Sequence, residues 1–305
     1  MSSPKSKNCS YVTGIVRYQD LGYFALVTEE MVKQKFDHSL FVEWDRGIWR
    51  GSNITPVKWT TVGAAVVSVP SQQGLFLGYW GEVFCMGSGD AHEEKIDCGD
   101  GLSPGNRGPM RGIRSIGGKA YAVGTHRQVY RRERRDTWIC IDEGARPPAN
   151  DRRVVSFESI DGFAPDEIYA AGRQGELWSY DSRKWTRLAS PTNLILTNVC
   201  CASDNQVYIS GRNGTLIRGR GSRWELIDHG ITDEDFWGAA WYLGKLYLAT
   251  MHFVYTLEGD ILHAVDFGAD VPKTCFQLNE ADGVLWSIGA KDVMSFDGKK
   301  WSRID

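Results

Sequence analysis

Side chains able to do chemistry are plentiful in this chain of 305 residues, but few of them stand at spacings that converge on a site. The six histidines (38, 92, 126, 229, 252, 263) form no close pair, and the seven cysteines (9, 85, 98, 140, 200, 201, 275) include no CxxC. The sequence therefore predicts neither a zinc site nor a disulfide framework. An odd set of thiols fits reduced side chains used as small apolar groups, with Cys200 and Cys201 pointing to opposite faces of one strand. GSGDAH at 87–92 contains a lone Gly-x-Gly, and DCGDG at 97–101 falls short of the calcium loop D-x-[DN]-x-[DN]-G. Zincin, phosphate-loop and nucleophile-elbow motifs are absent. The expectation is a non-catalytic protein without metal or cofactor.

What the sequence does repeat is architecture. DEIYAAGRQGELWSYDSRKWTRL at 166–188 is answered by NQVYISGRNGTLIRGRGSRWELI at 205–227. Tyr169 falls under Tyr208, Gly172 under Gly211, Arg173 under Arg212, Gly175 under Gly214 and Trp185 under Trp224, a constant offset of 39. Short period-2 apolar runs broken by glycine at that interval mark a β-propeller blade. The second-strand aromatic recurs at Tyr121, Tyr169, Tyr208, Tyr247 and Trp286, and the insertion EGARPPANDRR at 143–153 accounts for the longer first interval. The predicted fold is all-β, a single propeller of four-stranded antiparallel blades at 1–55, 56–98, 110–142, 154–189, 195–228, 235–266 and 275–305. The count is seven, or six if the first 55 residues are an appendage. Residues 99–112 read as an exposed loop. Trp138, Trp185, Trp224 and Trp301 open fourth strands and should pack between blades. The blade at 261–266 lacks this tryptophan.

A net charge of −3 and a pI near 6.1 give no global attraction to nucleic acid or an anionic membrane. The N-terminal MSSPKSKNCSYVTG has no apolar signal core, and no run is long enough for a membrane span, so a cytosolic monomer is expected.

SYDSRKW at 179–185 and SFDGKKW at 295–301 resemble the bacterial-neuraminidase-repeat and kelch-like propellers, in which a Tyr/Phe-Asp turn precedes a tryptophan. The resemblance covers roughly residues 110–305. The turn is one residue shorter than the neuraminidase pattern S-x-D-x-G-x-T-W, and no spaced arginine triad accompanies it. Asp181 and Asp297 are therefore expected to bond their own backbone. The resemblance implies a binding module, and similar bacterial chains accompany secreted toxins as cytosolic antidotes.

In such a fold the turns between second and third strands share one face with the connections between blades. These turns read Tyr79-Trp80, Thr125-His126-Arg127, Arg173-Gln174, Arg212-Asn213, Met251-His252-Phe253 and Ala290-Lys291. Cations and aromatics are the residue types that concentrate binding energy. Trp80, His126, Arg127, Arg173, Arg212, His252, Phe253 and Lys291 are thus the expected contacts to a protein partner, a toxin or enzyme with an acidic surface. Local carboxylates offer Arg173 and Arg212 a purely structural use. The run Arg131, Arg132, Arg134, Arg135 suits either a solvated strand edge or a clamp on an acidic partner. A carbohydrate-active enzyme or lectin, and an assembly scaffold, are the alternatives.

Overall fold

The computed structural model describes residues 8–51, 56–148, 151 and 153–305. Among these, twenty-eight strands form seven four-stranded antiparallel sheets, each made of consecutive strands, at residues 9–50, 61–95, 110–140, 157–187, 196–226, 238–264 and 277–303. They are the seven blades of a β-propeller, numbered here in chain order. Residues 9–50 form a complete blade rather than an appendage, while the calls on residues 1–7 and 52–55 lie outside the described residues.

The chain divides into two compact units, where the repeat pattern predicts one domain. The terminal unit comprises Met1–Thr61, His229–Ile231 and Phe236–Asp305; the central unit comprises Val62–Asp228 and Thr232–Asp235. Blades 1, 6 and 7 belong to the first, and blades 2 to 5, apart from Thr61, to the second.

Within the central unit, blades 3 and 4 each have a neighbour on both faces. Their second strands, Lys119–Gly124 and Glu167–Gly172, are accordingly buried almost end to end, with Tyr121 and Tyr169 in the core. The fourth-strand tryptophans reach back to the preceding blade. Trp138 donates from Nε1 to Glu94 at 3.1 Å and Trp185 to the Ile141 carbonyl at 2.8 Å, while Trp224 meets Tyr169 edge-on. In the terminal unit Trp301 packs on Phe267 and Phe296, and in blade 6 the buried Leu262 takes the position that tryptophan holds elsewhere.

The Asp181 and Asp297 carboxylates each accept two backbone N–H groups of their own turn, which holds both carboxyls below their usual range. Residues 99–109 contain a helical turn, Pro104–Arg107, and the next strand starts at Met110. Asp97 accepts from the Gly99 amide and the Ser103 hydroxyl, a local turn instead of a calcium loop. The N-terminal blade keeps all four of its own strands. Its first strand, Cys9–Tyr18, lies beside the first strand of blade 7, Gln277–Ala281, joined by Tyr11 N to Ala290 O and by Val16 N to Asn279 Oδ1.

Candidate partner-binding surface

The repeated Gly-Arg-x-Gly turn of the central unit is a device for presenting arginine. At 172–175 and 211–214 the chain turns sharply, with Gln174 and Asn213 left-handed at φ 59° and 53°. Gly175 and Gly214 follow at φ 66° and 65°, where a side chain would also stand about 2 Å from the Thr192 and Thr232 carbonyl oxygens. The turns are tied down from both sides. Arg173 N donates to Ser156 O, Arg212 N to Ile195 O, and Gly214 N to Glu234 O, all in connections between blades. Turns and connections therefore do share a face, and each arginine leaves from a fixed backbone.

Both arginines lean on a carboxylate yet keep solvent-facing surface. Arg173 Nε donates to Glu158 Oε1 at 3.1 Å with 36% of its side chain exposed; Arg212 Nε lies 3.7 Å from Asp235 Oδ2 with 49% exposed. Glu158 also faces Arg111, whose guanidinium lies over Tyr79, and Tyr79 meets the exposed Trp80 edge-on at 5.2 Å. Trp80, Tyr79, Arg111, Glu158 and Arg173 thus form one continuous aromatic and charged strip from blade 2 to blade 4. His126 is exposed on the blade 3 turn.

Arg127 has a different location from the one expected. It occupies the left-handed position that glycine fills in blades 4 and 5, and its side chain runs inward. Only 5% exposed, it grips Glu176 with Nε at 2.7 Å, donates to Ala145 O, and lies over Trp178. Its partner is 49 residues away in the chain, a separation at which residue order carries no sign of the pairing. The arginine run after it dissolves similarly: buried Arg132 is held by Glu94, Arg131 by Glu133, and Arg135 by Asp90.

The terminal unit presents its turns in another way. Thr250 Oγ1 accepts from the His252 and Phe253 amides, which projects Met251, His252 and Phe253 outward, with Phe253 48% exposed. Lys291 is a half-exposed brace: Nζ binds the Glu29 carboxylate and the Cys9 carbonyl, joining blade 7 to blade 1. Sequence reasoning missed the corresponding segment of blade 1. There a helical turn, Glu29–Lys33, capped by Thr28, carries the exposed Val32, and the exposed Phe36 follows just past the left-handed Lys35. The apolar pair at i and i+4 in MVKQKF was the available signal. A separate cleft of about 640 Å³, lined among others by Phe267, Phe296, Trp301, Asp266, Asp270, Lys299 and Lys300, has no arginine in its wall, unlike the triad a sialidase requires.

No protein-family model matches the chain. Over 298 residues it is 53% identical to the immune protein Tsi7 of Pseudomonas aeruginosa, covering 97% of each sequence. The chain belongs to the Tsi7 family of immune proteins. That agrees with the class of protein that the resemblance to bacterial propellers implies. Solved structures similar to this Tsi7-family chain share the fold alone. The WD40 propeller domain of Doa1 matches with a TM-score of 0.69 at 9% identity, covering 97% of this chain and 93% of that one. YCF48 bound to a D1 peptide matches with a TM-score of 0.66 at 13% identity, covering 93% and 90%. Among the described residues no helix is long and apolar enough to cross a membrane.

Proposed function

We propose that this chain is a non-catalytic cytosolic antidote that binds a toxin and covers the surface through which the toxin acts. The observation that carries this reading is 53% identity to an immune protein along 97% of both chains. The turn edges supply suitable contacts: Trp80, His126, Arg173 and Arg212 in the central unit, and Met251, His252 and Phe253 in the terminal unit. Arg173 and Arg212 each lean on one carboxylate, so an acidic partner can engage the remaining N–H donors. Their backbones are already pinned, which keeps the ordering cost of binding low. Arg127 is left out of this contact set because its guanidinium is committed to Glu176, and Lys291 contributes through its exposed half.

The test places the intact chain beside an Arg173→Glu, Arg212→Glu double variant in a pull-down from host lysate. The retained protein is then expressed in a heterologous bacterium with and without the chain. One stoichiometric partner, retained by the intact chain alone, toxic by itself and harmless in its presence, is the expected result. A partner that is harmless by itself would turn the antidote into a scaffold. Equal retention by the double variant would sink the face assignment.

A further inference from the structure

In blade 2 the chain reverses at Ser88 and Gly89, with φ of 56° and 77°, the left-handed pair that closes a two-residue hairpin. The third strand, Glu82–Gly87, and the fourth, Asp90–Lys95, consequently pair with Cys85 opposite His92 and Val83 opposite Glu94. Residues two apart on a strand share a face, so Cys85, His92 and Glu94 converge on one side of the hairpin. One ligand atom from each, the thiol sulfur, a ring nitrogen and a carboxylate oxygen, lies within 4.8 Å of the other two. The Cys85 and Glu94 side chains are shut off from water, and that of His92 is 8% exposed. Neither ring nitrogen of His92 makes a hydrogen bond, although Asp90 Oδ2 stands 2.8 Å from Nδ1 outside bonding direction. Nε2, with Glu94 Oε2 3.9 Å away, has no hydrogen-bond partner, and a buried ring nitrogen without one calls for an occupant.

We infer that Cys85, His92 and Glu94 form a binding site for a divalent cation of borderline softness, Zn²⁺, with water as the fourth ligand. Thiolate, imidazole and carboxylate are its ordinary donors, and bonds of about 2.0–2.3 Å in a tetrahedron place ligand atoms about 3.3–3.6 Å apart. Small rotamer shifts of Cys85 and His92 close the difference. Ionised Cys85, Glu94 and Asp90 against Arg132 and the exposed Arg135 leave one excess negative charge to offset the cation. Glu94 keeps Arg132 Nε at 2.7 Å and Trp138 Nε1 at 3.1 Å on Oε1. On Oε2, the oxygen 3.9 Å from His92 Nε2, the Asp136 amide stays at 2.9 Å and the cation replaces the longer Arg132 Nη2 bond of 3.1 Å. Asp90 then orients the ring from Nδ1, the outer carboxylate that histidine ligands usually have. The site would fasten the two outer strands of blade 2 to each other.

Co²⁺ titrated into the metal-free full chain at neutral pH tests this directly. One equivalent should bind with a thiolate-to-cobalt charge-transfer band, and Zn²⁺ should displace it. Cys85→Ala should abolish the band, and His92→Gln should weaken binding about tenfold or more. Burial and Glu94 push the Cys85 thiol up, so binding must release its proton and weaken as pH falls. The wild-type spectrum alone decides if a variant fails to fold. Absence of the band, or binding unchanged in both folded variants, overturns the site.

Discussion

The two units hold their blades together with different chemistry. In the central unit the seams are ion pairs: Arg127 with Glu176 and Arg114 with Asp161 join blades 3 and 4, Arg132 with Glu94 joins blades 3 and 2, and Arg220 with Glu167 joins blades 5 and 4. In the terminal unit they are mainly aromatic, with the exposed Lys291–Glu29 pair beside them between blades 7 and 1. Trp286 stacks on Phe24 at 5.6 Å and meets Trp44 edge-on, joining blades 7 and 1, while Tyr242 against Phe296 joins blades 6 and 7. An ion-pair seam works only with both members present, since either one alone is a buried unpaired charge. An aromatic seam depends on area and has no such mutual requirement. The difference also sorts the arginines by use: Arg127 and Arg132 are buried in a seam and out of a partner's reach, whereas Arg173 and Arg212 on pinned turns face solvent.

The sharpest way to break this contrast is to remove one member of each seam. Glu176→Ala strands the buried Arg127 guanidinium and should cost about 3–5 kcal/mol in denaturant unfolding. Trp286→Ala should cost a similar 3–5 kcal/mol, roughly, from the cavity it leaves. What separates them is recovery. Replacing Arg127 and Glu176 together by Met and Leu should restore most of the loss, because the penalty lies in the unpaired charge. No second substitution at Phe24 or Trp44 should rescue Trp286→Ala. A double variant no better than Glu176→Ala would show that the central seam is held by packing after all. Gly175→Ala should cost more than the about 1–2 kcal/mol of a left-handed backbone, because its Cβ would also stand about 2 Å from the Thr192 carbonyl oxygen. It should also weaken partner binding by displacing Arg173, and full affinity in that variant would show that the turn need not be fixed.

The propeller was legible because blade packing demands the same residue at the same place each time: Tyr169 and Tyr208, Trp185 and Trp224, and the glycines of the two arginine turns. The face of the turns followed from that alignment. Which turn residues remain at the surface did not follow. Arg173 leads its turn, whereas Arg127 stands two places later, where the other turns have glycine, and from there Glu176, 49 residues on, can draw it inward. The irregular first blade hid Val32 and Phe36, since its turn is extended by a helical insertion that the repeat does not contain. GSGDAH read as a stray Gly-x-Gly because nothing in it announces a hairpin whose register sets Cys85 opposite His92.

The smallest expected effect lies at an exposed charged seam of the central unit. Arg220 binds Glu167 at 2.7 and 2.6 Å, but about a third of each side chain is in water, so Glu167→Gln should cost no more than about 1 kcal/mol at neutral pH. The sign of its pH dependence is fixed. Arg220 holds the folded-state carboxyl of Glu167 below its ordinary value of about 4.3. Its contribution is therefore present above that value and lost as pH falls through the depressed one. Wild type and variant should differ near pH 7 and converge in acid, as read by denaturant midpoints at several pH values. A gap that persists at pH about 2, below the carboxylate range, would mean that Glu167 acts through packing, and the central seams would then resemble the terminal ones more than their charges suggest.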